Sequence, residues 1–115
     1  MNFHVVRQLD QMDCGPSCLK MVGQFFGKKF SLSQLRHLCD KGQQGVTLLG
    51  INRAAEELGF KTLPLRLELE TFAKEAQLPC IVHWQKNHFV VVYKIKKNHI
   101  YIADPAKGKV KLHKE

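Results

Sequence analysis

Three side chains in this sequence could together carry out nucleophilic chemistry at a carbonyl carbon: Cys14, His88 and Asp104. Cys14 stands immediately before a helix signal, Gly15-Pro16, and the start of a helix offers partial positive charge and N–H groups that favour a thiolate. Free cysteines are also among the most buried residue types, so position alone supports packing and reactivity about equally. His88 and Asp104 lie on consecutive strand-like runs. A turn centred on Lys96 pairs Val92 with Ile100, Val90 with Ile102 and His88 with Asp104, all on one sheet face. The carboxylate then holds the imidazole in one tautomer and leaves its other nitrogen to act as base. A turn centred half a residue away breaks that pairing, and a surface His with a turn-forming Asp before Pro105 is the plainer alternative.

Acyl transfer through a thiolate creates an oxyanion, which a side-chain amide beside the nucleophile can stabilise together with a backbone N–H. Gln8, six residues before Cys14, and Gln11 both qualify by residue type. A metal site would use the same region differently, because Cys14 and Cys18 are one helical turn apart and two histidines could complete a tetrahedron. There is no second Cys or His pair at ligand spacing, so no metal is expected. Cys39, at the end of a leucine-bearing segment, and Cys80, at a strand start, read as core residues. His4, His37, His83, His99 and His113 carry no signal of their own.

The elements that must hold these residues fall into two halves. Gly15-Pro16 opens a helix with Cys18, Leu19, Met21, Val22, Phe25 and Phe26 as its apolar set and Gly27 as its stop. Ser31 can cap a second helix bearing Leu32, Leu35 and Leu38. Thr47 can cap a third, with Leu48, Ile51, Ala55 and Leu58 inward and Gly59 ending it. A short fourth is expected from Glu70 to Ala76. Strands follow at Cys80–Trp84, His88–Tyr93 and His99–Asp104, with a last one near Val110–Leu112. Helices first and antiparallel strands second predict an α+β domain.

Composition narrows the class. The 115 residues make one domain, with 44% hydrophobic and 24% charged residues as in a globular fold. No apolar run approaches the ~20 residues that cross a bilayer, and Met1 to Gln8 is too short and polar for a signal peptide. The four cysteines are therefore expected as reduced thiols in a cytosolic compartment. The formal charge of +8 is spread along the chain and densest from Lys94 to Lys114, without regular aromatic interleaving. That distribution ranks a solvated basic face first, an acidic peptide partner second and nucleic acid third.

Several blocks of the sequence, in order, match one known family. They are Gln8-Leu9-Asp10-Gln11-Met12-Asp13-Cys14-Gly15-Pro16-Ser17-Cys18-Leu19, Gly45-Val46-Thr47-Leu48-Leu49-Gly50, Leu58-Gly59-Phe60, Leu78-Pro79-Cys80-Ile81-Val82-His83-Trp84, Asn87-His88-Phe89-Val90-Val91 and Ala103-Asp104-Pro105-Ala106-Lys107-Gly108. In these blocks the chain resembles the bacteriocin-processing, double-glycine-leader cysteine peptidase domains at the N-terminus of peptide-exporting ABC transporters. The resemblance implies a papain-like fold that removes leader peptides after a double-glycine motif, coupled to export of a bacteriocin-like or other secreted peptide. By matching position it implies Cys14 as nucleophile, His88 as base, Asp104 as its partner and Gln8, rather than Gln11, as the oxyanion-hole amide.

The same resemblance implies no cofactor for the peptidase domain, ATP belonging to the exporter's separate ATPase domain. Its implied partners are a leader-containing precursor peptide and the exporter's own transmembrane and ATPase domains, with no nucleic acid. The implied location is the cytoplasmic side of the bacterial inner membrane. Residues 1–115 are expected to form a single papain-like domain taken from a longer exporter. The alternative is a non-catalytic docking domain like that of haemolysin-type exporters, which binds substrate without cutting it. Those domains lack the cysteine, so Cys14 argues for an enzyme.

Overall fold

In a computed structural model, the residues described are 3–8, 13–39, 47–62, 68–84 and 88–113. Among them are four helices, α1 (Cys14–Phe25), α2 (Leu32–Cys39), α3 (Leu48–Glu57) and α4 (Leu69–Glu75). Four strands follow, β1 (Cys80–Trp84), β2 (His88–Lys96), β3 (His99–Asp104) and β4 (Gly108–His113). The strands form one antiparallel sheet in sequence order. The α+β expectation holds.

Local chemistry sets the helix ends. Gly27, at φ +80°, adopts the left-handed conformation that stops α1, and the Lys28 N–H closes the turn onto the Gly23 carbonyl at 2.8 Å. Ser31 Oγ accepts from the Gln34 N–H at 3.1 Å, and Thr47 Oγ1 from the Gly50 N–H at 3.0 Å, as capping residues do. Gly59, at φ +97°, ends α3.

The sheet is covered on both faces. Phe89, Val91 and Ala103 join Leu19, Met21, Leu35, Ile51 and Ala54 in a core beneath α1, α2 and α3. Val90, Val92, Ile100 and Ile102 form a second cluster on the opposite face, packed against Phe72 of α4, Leu78, Val110 and Leu112. Three residues expected to point inward do not: Phe25, Phe26 and Leu48 are 41%, 55% and 38% exposed. The two phenylalanines lie where α1 runs out, and they pack as rings instead, Phe25 on Phe3 and Phe26 on Phe60. Leu48 is the first residue of α3, where the helix has barely entered the core.

The β2–β3 register corrects the expected hairpin. The turn lies at Lys97-Asn98, so Lys96 faces His99, Ile95 faces Ile100 and Lys94 faces Tyr101. That shift of one and a half residues alone would send His88 and Asp104 to opposite faces. A bulge between Val92 and Lys94 restores the parity: Tyr93 is an extra residue, after which Val92 faces Ile102 and Val91 faces Ala103. His88 and Asp104 therefore share a face, staggered diagonally rather than directly opposite.

Candidate active site

The diagonal is short enough for an imidazole to cross. His88 Nε2 lies 2.7 Å from Asp104 Oδ1. An ionised carboxylate only accepts, so Nε2 carries the hydrogen and Nδ1 keeps its lone pair. The Ala106 N–H donates to the same Oδ1 at 2.8 Å, and the Lys107 N–H donates to the Asp104 carbonyl at 3.1 Å. Asp104 thus organises the turn that follows it and holds its carboxylate still while doing so. The Asp104 side chain is 9% exposed and that of His88 25%, so the ring opens to solvent on one side while its anchor does not.

Gln8 is tied to the same turn. Its backbone N–H donates to the Pro105 carbonyl at 2.8 Å, and the neighbouring Arg7 guanidinium donates to the Ala106 carbonyl at 2.8 Å. One end of the Gln8 amide, Oε1, is enclosed with no hydrogen-bond partner among the described residues. Leaving such a group unsatisfied costs about 1–3 kcal/mol, a cost more often met at functional sites than in ordinary packing. Turning the amide about its last bond puts Nε2 at that spot, so the enclosed end can donate. Gln11 lies outside the described residues, as do Lys86 and Asn87.

Cys14 is the first residue of α1 and is buried. The helix packs on β2, the strand that starts with His88. Cys18, one turn further in, is completely buried, and its thiol pKa is pushed well above the usual value. Burial is the main cause, with the charges of Cys14, Asp104 and Cys39 adding to it. That coupling links the start of α1 to the His88–Asp104 end of the sheet. Cys80 is also pushed up, to about 11, by burial. Of the four thiols, Cys18 and Cys80 are thus set against ionising.

One pair of residues was missed from the sequence. Asp13, 1% exposed, precedes Cys14 and is gripped by Arg36 of α2. Arg36 Nε donates to Asp13 Oδ1 and Arg36 Nη2 to Oδ2, both at 2.7 Å. An Asp before a helix reads as a cap, and nothing in the spacing announces a partner in the next helix.

No helix among the described residues is long and apolar enough to cross a membrane. Comparison with known proteins adds the following. The model of the Peptidase C39 family matches residues 2–115. The colicin V secretion/processing ATP-binding protein CvaB of Escherichia coli is 41% identical over 104 residues, covering 90% of this chain and 15% of that protein. The transport/processing ATP-binding protein ComA of Streptococcus pneumoniae is 38% identical over 116 residues, 96% of this chain and 16% of that protein. The chain therefore spans about one sixth of the length of these relatives. Among solved structures, a double glycine motif protease from an AMS/PCAT transporter, crystallised in complex with the leader peptide, superposes with a TM-score of 0.92 at 37% identity. That match covers 98% of this chain and 81% of the other. The peptidase domain of Streptococcus ComA, an ABC transporter, gives a TM-score of 0.83 at 30% identity.

Proposed function

The chain belongs to the Peptidase C39 family, and from that membership and the geometry above we propose that it is an endopeptidase cutting leader peptides after a double glycine. Cys14 is the nucleophile, His88 the base, Asp104 the orienting carboxylate and Gln8 the oxyanion-hole amide. The observation that carries this reading is the 2.7 Å bond from His88 Nε2 to Asp104, which commits the other ring nitrogen to proton transfer.

The chemistry runs in two balanced halves. His88 Nδ1 takes the Cys14 proton, and the thiolate sulfur bonds to the carbonyl carbon of the second glycine. The carbonyl π pair moves onto oxygen, which accepts hydrogen bonds from the Gln8 amide N–H and a backbone N–H at the start of α1. Collapse breaks the C–N bond, and the His88 proton leaves with the amine. Water, deprotonated by His88, then hydrolyses the thioester and restores the thiol. Asp104 stays ionised and stabilises the imidazolium in each half.

The substrate class comes from the related protease solved with its leader peptide. The longer exporter, its transmembrane and ATPase domains as partners, and a place on the cytoplasmic side of the membrane belong to the same proposal. The test is incubation with double-glycine precursor peptides, with the cut located by mass. Cleavage should follow the second glycine and vanish in Cys14→Ala while the far-UV spectrum is unchanged. Leader binding without cleavage by the unmodified chain would instead mark a docking domain.

A further inference from the structure

We infer that Asp13 and Arg36 are positioning residues for Cys14. Their ion pair anchors the start of α1 to α2 and cancels a carboxylate charge that would otherwise oppose the thiolate. The inference rests on Cys14 being the nucleophile.

Aspartate is among the preferred residues at the position before a helix, where its oxygen normally takes the N–H of the second or third helical residue. Asp13 occupies that position and makes no such bond. The third helical residue is Pro16, which has no N–H to give. Both carboxylate oxygens turn instead to the Arg36 fork. The side chain thus leaves the N–H groups of the first turn to other acceptors, at the point where an oxyanion must be received. The chain direction into Cys14 is fixed by two charge-assisted bonds to a neighbouring helix rather than by a local cap.

The electrostatic argument is separate. A carboxylate beside a thiol adds like charge and disfavours the thiolate. Asp13 is buried, so water does little to screen it, whereas Arg36 is 38% exposed and reaches in from the surface to neutralise it. Among the described residues, the ionisable groups coupled to this region include Cys18 on α1, Cys39 on α2 and Asp104 on β3, the last bonded to His88 of β2. The inward faces of α3 and β1 add Ile51, Ala54 and Ile81, which bring no charge. Asp104 is already engaged by His88 and Ala106. Among the described residues, Asp13 is thus a carboxylate next to Cys14 whose charge is balanced by Arg36.

The experiment follows labelling of Cys14 by iodoacetamide across pH, mapped by mass, in the whole domain. Arg36→Gln should move the labelling midpoint up by roughly one pH unit and cut kcat/KM tenfold or more. Asp13→Asn should move it down, because Arg36 is then uncompensated. The double variant should return towards the native midpoint. Arg36→Lys should fall between native and Gln, since it keeps the charge and loses the fork. A purely structural pair would lower the melting temperature in both single variants without moving their midpoints in opposite directions. Midpoints that coincide, or shift the same way, overturn the inference. Should Arg36→Gln fail to fold, Asp13→Asn and Arg36→Lys decide it, since an unmoved midpoint in Asp13→Asn is fatal. Persistent cleavage by Cys14→Ser would break the nucleophile assignment instead, an outcome the labelling curves do not depend on.

Discussion

The two ends of the β2–β3 ladder carry polar groups in opposite ways. At one end His88 and Asp104 meet at 2.7 Å, with the carboxylate enclosed and each bond from it accounted for. At the other end Lys94, Tyr101 and Lys111 form one cross-strand row, with both ammonium groups within 6 Å of the tyrosine ring centre. Lys109 sits over Tyr93 in the same manner. His99, two rows on, has its pKa lowered by lost hydration and by the neighbouring Lys111 and His113. The three lysines are exposed and share one sign, so each ring contact contributes a few tenths of a kcal/mol at most, about the weakest such contacts are worth. Fixed geometry is concentrated where β2 and β3 meet α1, and net charge where they leave it. Between the two ends lies Tyr93, the extra residue of the bulge.

The comparison is most severely tested by removing that residue. Deleting Tyr93 takes out the residue that β3 does not match, so Lys94–Tyr101 is followed directly by Val92–Ile102 and His88 keeps its shared face with Asp104. Most cleavage should therefore survive, at a cost in stability from the lost stacking on Phe3. Tyr93→Gly keeps the residue count and should keep most activity, although it loses the stacking on Phe3 and some stability. Catalytic efficiency in both variants, with a melting curve for each, decides the point. A deletion variant that no longer cuts would mean that the bulge does more than set which face His88 occupies.

The largest effect is expected from the split between base and orienter. His88→Ala removes proton transfer, worth about 10²–10⁴-fold. Asp104→Asn should cost less, because an amide oxygen can still accept the Nε2 hydrogen and hold the ring, losing only the charge that stabilises the imidazolium. Steady-state kinetics of the two variants separate these roles. Equal, complete loss in both would show that the carboxylate does more than orient.

How much of this could be read from sequence follows from where each signal resides. Helix ends are local: Ser31, Thr47, Gly27 and Gly59 each act on residues three or four positions away, and all appear as expected. The hairpin register is not local in that sense. Residues Phe89 to Val92 are buried on both faces, so no alternation marks which side is which, and a bulge leaves no compositional trace. The expected His88–Asp104 contact is present, but by way of a later turn and an extra residue that compensate each other. Asp13 and Arg36 were out of reach because their pairing spans 23 positions and depends on how α2 packs on α1. Gln8 separated from Gln11 only by resemblance.

Cys18 offers a smaller test within the buried end. It is close enough to the site to feel Cys14 and Asp104, yet its thiol is held protonated. Cys18→Ala should retain substantial activity and cost about 1–2 kcal/mol of stability through the cavity left behind. Alkylation at neutral pH should reach Cys14 well before Cys18 or Cys80, since a thiol pushed up to about 11 is almost entirely protonated there. Loss of cleavage in Cys18→Ala equal to that in Cys14→Ala would mean that the wrong cysteine has been assigned.

The smallest effect is expected at the exposed end. Replacing Lys94, Lys109 and Lys111 with Gln removes three of the chain's charges and three cation–aromatic contacts, none of them enclosed. Stability should change by no more than ~0.5 kcal/mol per site, and turnover of an uncharged double-glycine peptide should not change. What the lysines can do is attract. A +8 domain draws in a leader rich in Asp and Glu, mainly by raising the association rate, and salt screens the attraction over about 10 Å at 0.1 M. A site that accepts two glycines buries little substrate surface, so the leader upstream of the cut must supply most of the affinity. The triple variant should therefore lose a few-fold in kcat/KM towards an acidic leader at low salt, and the difference should close as salt is raised. Truncating the leader close to the glycines should cripple both proteins alike. An unchanged salt dependence in the triple variant would place recruitment elsewhere on the surface and leave this face merely solvated.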